Sequence, residues 1–273
     1  MTTLECTLHC HTNLCDGKNT PEEMAKAAIK QGVKVLGLSG HSHTPHDDSY
    51  CMSRENTAFY RAEIARLNRE YGDQLTVFCG LEWDQWSDEN LSDWDYTIGS
   101  AHYVTGAKDG VRYSVDHNEE TFRAALAAFG GDGLALTEAY FAAVAQVTEM
   151  RPTILGHFDL LKKLNGSGAF FDESHPRYRA AALSALEAAA GKVQALEINT
   201  GGVARGYRDE FYPAPFLLKR WKELGGEIVL TADAHTAEGL LFAFDRAAEY
   251  ARACGFSRAM VLNAAGKAEY VTL

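Results

Sequence analysis

No stretch of the 273 residues approaches the ~18–20 consecutive apolar positions needed to span a bilayer, which excludes a transmembrane helix. The opening Met1-Thr2-Thr3-Leu4-Glu5 has no basic segment and no long apolar run, so no signal peptide is expected. Basic residues are scarce. Lysine and arginine number 26 against 37 acidic residues, a formal charge of −11, and no basic cluster interrupts the acidity. A groove for duplex nucleic acid needs such a stripe, so neither nucleic acid nor membrane is an expected partner. The six cysteines form no C-x-x-C pair, and with no export signal they read as reduced thiols of a cytoplasmic protein. Neither G-x-x-x-x-G-K-[ST] nor G-x-G-x-x-G occurs, which removes support for nucleoside-triphosphate and dinucleotide sites. A G-x-S-x-G nucleophile elbow is missing as well.

What is present is a regular alternation. Short β-branched or apolar runs at 4–9, 34–39, 76–80, 96–99, 153–156, 194–198, 227–231 and 258–262 predict strands. Helical patterns lie between them at 24–31, 54–71, 118–129, 134–150, 175–190, 213–224 and 237–254. Thr20-Pro21-Glu22-Glu23 reads as an N-cap with first-turn proline and capping box, and Gly32 as the stop. Alternating β and α elements imply a parallel sheet covered by helices. Seven or eight units suit a closed α/β barrel, and without a linker the chain 1–273 reads as a single domain. The stretches 83–95 and 199–212 read as the longest irregular segments. With 46 % hydrophobic residues the chain can build its core unaided, so any metal serves chemistry rather than folding.

The histidines carry the chemistry. Six of ten fall at or just past the end of a predicted strand: His9, His11, His41, His102, His157 and His235. Asp16, Glu82 and Asp233 stand at the same ends. A parallel barrel brings all strand ends to one face, where such barrels place their active sites. Satisfied core histidines do not explain why one end of nearly every strand carries such a group. Imidazoles with a few carboxylates suit Zn²⁺, Mn²⁺ or Fe²⁺, and nine ligands exceed what one ion takes. A multinuclear site with Glu82 as the bridge is expected.

The segments His9-Cys10-His11-Thr12, Cys15-Asp16-Gly17, Gly40-His41-Ser42, Gly80-Leu81-Glu82, Gly99-Ser100-Ala101-His102-Tyr103, Gly156-His157-Phe158-Asp159 and Asp233-Ala234-His235 resemble the PHP (polymerase and histidinol phosphatase) superfamily. Phe158 to Lys163, Asn199-Thr200-Gly201-Gly202 and Tyr212-Pro213-Ala214-Pro215 resemble its histidinol-phosphate phosphatase branch. The resemblance implies a distorted (β/α)7 barrel of TIM-like PHP type with three divalent ions. One ion would be held by His9, His11, Glu82 and Asp233, a second by Glu82, His102 and His157, and a third by Asp16, His41 and His235. It implies a phosphomonoesterase, with L-histidinol phosphate of histidine biosynthesis as the expected small-molecule substrate and a metal-bridging hydroxide as nucleophile. Glu82, Asp233 and His235 would then stand closest to the chemistry. Two alternatives stay open: a PHP phosphatase or phosphodiesterase acting on a nucleotide or other small ester, and a catalytically idle metal-binding module. One departure stands out, because the family commonly places Asp where Gly40 precedes His41.

Substrate contacts are expected from Arg205, Lys162 and Lys163 on the phosphate. His43, Trp83, Asp84 and Tyr103 are the candidates for the remainder of the molecule. Cys10 and Cys15 read as packing residues, and His117 and His175 as helix-start residues.

Overall fold

The computed structural model describes residues 2–273. Seven parallel strands form its centre: β1 (Cys6–Thr7), β2 (Val35–Leu38), β3 (Thr76–Asp84), β4 (Tyr96–Ser100), β7 (Ile154–Leu155), β8 (Ala195–Asn199) and β9 (Ile228–Thr231), hydrogen-bonded in that order. Between β4 and β7 lies a separate antiparallel hairpin, β5 (Tyr103–Thr105) with β6 (Arg112–Ser114). The two edge strands of the sheet meet through a parallel bridge of Cys10 with Ala234, where His11 N donates to Ala234 O at 2.8 Å and Ala234 N to His9 O at 3.0 Å. The sheet is thus a nearly closed barrel. Helices α1 (Pro21–Lys30), α2 (Arg54–Tyr71), α3 (Glu119–Ala128), α4 (Gly133–Glu149), α5 (Pro176–Ala189), α6 (Gly201–Ala204), α7 (Pro215–Glu223) and α8 (Phe244–Ala253) join its strands. No helix among the described residues is long and apolar enough to cross a membrane.

Local chemistry explains several boundaries. Thr20 caps α1 by accepting Glu23 N while Glu23 returns to Thr20 N, with Pro21 at the first position. Past its end, Gly32 adopts φ +82°, a conformation that costs glycine little. Side chains alternate along each strand, so residues two apart share a face. On β3, Phe78, Gly80, Glu82 and Asp84 fall on one face, while Val77, Leu81 and Trp83 join the buried layer that packs with the helices. Tyr96 crosses the barrel lumen, its hydroxyl donating to Leu8 O. A Cβ on Gly37 or Gly80 would overlap its ring, so two strands carry glycine there.

The run at 258–262 is not an eighth barrel strand. It pairs antiparallel with β11 (Ala268–Thr272) as β10 (Arg258–Leu262), across a tight turn in which Asn263 N donates to Lys267 O at 2.9 Å. Since β9 already leads into the closing bridge, this hairpin caps the far end. Its Met260, Val261 and Leu262 pack on Leu8, Val35, Tyr96, Ile98, Ile154 and Val229. The expected first strand is shorter, because Thr3–Glu5 forms a 3-10 turn. The helix expected over 237–254 begins only at Phe244, since Ala243 takes a left-handed φ of 57° that interrupts it. Neither segment expected to be irregular is fully so. β3 runs through Asp84, and α6 lies within the loop after β8.

Candidate metal centre

The barrel's strand ends bring all nine expected ligand-type side chains to one place. Glu82, 1 % exposed, stands at its middle. Its Oε2 lies 3.2 Å from His9 Nε2, 3.4 Å from His11 Nε2 and 2.9 Å from His41 Nδ1. Its Oε1 lies 2.9 Å from His157 Nε2 and 3.4 Å from His102 Nε2, and accepts from Ser100 Oγ at 2.7 Å. One carboxylate therefore faces two groups of imidazoles through its two oxygens.

Asp233 Oδ1 lies 3.2 Å from His11 Nε2 and 3.6 Å from His9 Nε2. Asp16 meets His235 Nε2 at 3.2 Å, His11 Nδ1 at 3.5 Å and His41 Nε2 at 3.7 Å. Four groups of donor atoms each lie within a span of 4.8 Å: His11, Asp16, His41 and His235; His9, Glu82 and His157; His9, His11 and Asp233; His41, Glu82 and His102. Sequence spacing prepares this. His9 and His11 are two apart on extended chain, and the His11–Asp16 loop folds back so tightly that a Cβ on Gly17 would lie 2.6 Å from the His11 carbonyl carbon. Asp233 itself sits at φ 50°, a left-handed conformation that side chains rarely adopt and that clusters at functional sites.

These residues fit divalent ions on two counts. His9 Nε2, His11 Nε2 and Glu82 Oε2 are buried without a hydrogen-bond partner, although they approach one another closely. Buried polar atoms are seldom left so. Converging without aligned hydrogen bonds is the arrangement of ligands around a shared cation. The donor set, six imidazoles with three carboxylates, suits borderline transition metals better than Ca²⁺ or Mg²⁺.

Burial alone would depress the imidazoles and raise the carboxyls, but the cluster's own charges overrule it almost everywhere. At His9 the carboxylates of Glu197, Glu82 and Asp233 outweigh burial and hold the ring well above its usual value. His102, hydrogen-bonded to Asp84 and Glu82, is likewise held well above it, and His41 is raised by Glu82 and Asp16. Glu82 and Asp233 are held well below the usual carboxylate range, Glu82 by His41 and His9 and Asp233 by Arg205 and His9. Only His11 goes down, to about 3, because its burial is reinforced by His235 and His41. The neighbouring thiols of Cys10 and Cys15 are pushed up to about 12 by burial, and neither belongs to the four donor groups.

Two residues of the site are not expected from sequence. Glu197, fully buried, has Oε2 at 2.8 Å from His9 Nδ1, and its Oε1 accepts His157 N and Asn199 Nδ2. A signal for it exists: a lone charge inside the apolar strand Ala195-Leu196-Glu197-Ile198. A carboxylate on the far nitrogen of a ligating imidazole fixes its tautomer and orientation. Glu197→Gln is expected to weaken metal affinity by ~10–100-fold while the fold persists. Competition against a chromophoric chelator would measure this, and unchanged affinity would remove Glu197 from the centre. Asp116, reached from the β5–β6 hairpin and paired with Lys163 Nζ at 3.2 Å, has no sequence signal.

Of the seven expected substrate contacts, Arg205, Lys163 and Tyr103 line the cleft beside this cluster. Arg205 Nη2 bonds Asp233 Oδ2 at 2.9 Å and its Nη1 bonds Asp233 O at 3.1 Å, so it also orients that carboxylate. The other four lie elsewhere. Lys162 is fully buried, with Nζ 2.9 Å from Asp159 Oδ2 and 3.0 Å from Glu210 Oε2. Trp83 points to the opposite side of β3 from Glu82 and belongs to the core. Asp84 N donates to Ser42 Oγ, and its carboxylate lies 3.3 Å from His102 Nδ1, so it orients a ligand. His43 turns to Asp88, 3.5 Å away, which also holds Arg54. His175 caps α5, its Nδ1 accepting Arg177 N. A Cβ on Gly40 would lie 3.1 Å from Met52 Sδ and 3.3 Å from Cys15 Sγ, so those side chains fill the space an aspartate would need.

The sequence profile of the PHP domain family matches residues 7–201. A Deinococcus radiodurans protein named "Probable histidinol-phosphatase" is 33 % identical over 262 residues, covering 92 % of this chain and 94 % of its own. The histidinol-phosphatase of Bacillus subtilis is 27 % identical, covering 87 % and 96 %. The solved histidinol phosphate phosphatase of Lactococcus lactis, complexed with zinc, L-histidinol and phosphate, is similar at a TM-score of 0.70. It shares 21 % identity and covers 97 % of this chain and 99 % of its own.

Proposed function

The chain belongs to the PHP domain family, and from that premise we propose that it is a histidinol-phosphatase, a hydrolase cleaving L-histidinol phosphate to L-histidinol and phosphate. The observation that carries this reading is the divided carboxylate of Glu82, with His9, His11 and His41 about one oxygen and His102 and His157 about the other. Three divalent ions are proposed. The ligand sets would be His9, His11, Glu82 and Asp233; Glu82, His102 and His157; and Asp16, His41 and His235. Zinc is favoured over manganese or iron by the complex of the Lactococcus lactis relative. When bound, such ions supply Lewis acidity to the phosphoryl oxygens and water acidic enough to attack phosphorus near neutral pH.

The chain's own residues do the rest. Two cavities of about 180 and 190 Å³ share Asp16, His41, His102, Asp116 and Lys163, so they form one cleft. Arg205 and Lys163 are the cations that would hold the phosphate dianion in the inner part. The outer part is walled by Asp47, Tyr50, Tyr103, Asp116 and His117, an acidic and aromatic lining suited to an ammonium and an imidazole. Tyr103 donates to Asp47 Oδ2 at 2.8 Å, which fixes that carboxylate. This wall takes the recognition role that the sequence suggested for Trp83 and Asp84. The barrel closes between residues 10 and 234 and the C-terminal hairpin packs beneath it, which supports reading residues 1–273 as one domain.

A few contacts of ~1–3 kcal/mol each predict a kcat/KM for histidinol phosphate ~10²–10⁴ above that for a bare alkyl phosphate. The test is a panel that adds nucleoside phosphates, sugar phosphates and phosphotyrosine. If one of these exceeds histidinol phosphate tenfold, the substrate assignment fails while the phosphatase assignment stands.

A further inference from the structure

Lys162 and Asp159 are each 0 % exposed, and the mechanism uses neither. Burying a lysine is costly, and an apolar pair of the same volume is often as stable or more so. What an ion pair adds is direction. Lys162 Nζ donates to Glu210 Oε2 at 3.0 Å and to Phe211 O at 3.4 Å, while Asp159 Oδ2 accepts Ala214 N at 3.0 Å. The lysine therefore grips the C-terminal part of the loop that carries Arg205, and the aspartate the backbone just beyond it.

That loop is a closed unit. Asn199 N donates to Tyr212 O at 2.8 Å and Tyr212 N to Asn199 O at 3.1 Å, which pins its neck. The Tyr212 ring lies under α6, where a Cβ on Gly202 would come within 2.7 Å of it, and Lys162 Nζ sits 5.4 Å from the ring centre. Arg208 ties the loop to the same turn by donating to Lys162 O at 3.1 Å. The turn in question follows His157 directly. Midway along the loop Arg205 holds Asp233.

We propose that the buried Asp159–Lys162 pair is a positioning device that registers the 199–212 loop against the turn after His157, and so aims Arg205 at Asp233 and the phosphate. This rests on the reading of Arg205 as a phosphate-holding cation. It also accounts for three separated sequence segments, at 158–163, 199–202 and 212–215, meeting at one point.

The test uses Asp159→Asn/Lys162→Met, which removes both charges and keeps the volumes, so that neither partner is left buried and unpaired. In amide hydrogen exchange of the full chain, residues 200–212 are expected to exchange about tenfold faster than in the wild type, with α2 unchanged. Glu210→Gln, a milder cut at a side chain 37 % exposed, is expected to shift the same amides by about threefold. Hydrolysis of an aryl phosphate by the metal-loaded pair variant should fall about 10–100-fold in kcat/KM at unchanged metal content. Combined with Arg205→Ala, the pair substitution should add less than about threefold, because both act through one group. Unchanged exchange in 200–212, or fully multiplicative effects with Arg205→Ala, would overturn the proposal. Wild-type failure on histidinol phosphate would count against the substrate reading alone, since the exchange measurement decides the pair independently.

Discussion

Replacing Glu82 with glutamine is expected to lower turnover by at least ~100-fold and to reduce the metal content of the purified protein in the same step. The reason lies in how its two oxygens are used. Oε2 faces His9, His11 and His41 and Oε1 faces His102 and His157, so an amide would present nitrogen to one of the two groups. Five imidazoles would then meet one acceptor in place of two, and the charge balance of two ions would change together. Replacing a ligand to a single ion would leave the others in place. The fold should survive, because the two hydrophobic clusters are formed by residues other than Glu82 and the substitution keeps its shape. Elemental analysis with steady-state kinetics checks both halves. The proposal expects about three ions per chain in the wild type and fewer in the variant. A Glu82→Gln protein with near-normal turnover and full metal content would end the bridging role.

Glu82 is legible in the sequence because its signal is positional. A parallel barrel sends the C-terminal ends of its strands to one face, so a histidine, aspartate or glutamate recurring at those ends predicts its own convergence. The two-residue period puts Glu82 inside and sends Trp83 to the core, against the expectation that Trp83 contacts the substrate. What sequence does not carry is which distant groups meet these residues. Glu197 stands out as a lone charge in an apolar strand, but only closure of the barrel shows that its partner is His9, 188 residues away. Lys162 reads as a phosphate-gripping cation because basic residues beside a metal motif usually face solvent, whereas tertiary packing turns it inward onto Asp159. The last strand departs from expectation for a related reason. Its local pattern fits a barrel strand, and only the closure through Cys10 and Ala234 sends it to a hairpin.

Metal uptake is expected to release protons and to weaken steeply as pH falls. In the metal-free protein the carboxylates of Glu82, Asp233, Asp16, Asp84 and Glu197 raise the pKa values of His9, His41 and His102 and so favour their protonated forms. An ion needs the neutral imidazole, and so must displace those protons. His11, lowered to about 3, is already neutral and releases none. Protons should therefore leave as the centre fills at pH 7, and acidification should lower the overall binding constant. The signs for stability run in opposite directions. Raised histidines stabilise the metal-free fold fully below their unfolded pKa of ~6.5, and that contribution is lost as pH rises through the folded value. The depressed carboxyls of Asp16, Glu82 and Asp233 contribute above ~4, and that part is lost as pH falls through their folded values. His11, lowered to about 3, costs stability as pH falls below ~6.5, so the metal-free protein should be most stable near the upper end of the range from about pH 4 to 6.5, and the gain in Tm on adding zinc should grow from pH 6 to pH 8. Calorimetric titration with zinc in buffers of different ionisation enthalpy counts the protons directly. A count near zero would mean that the imidazoles stand neutral among their carboxylates, in a hydrogen-bonded rather than a charge-paired cluster.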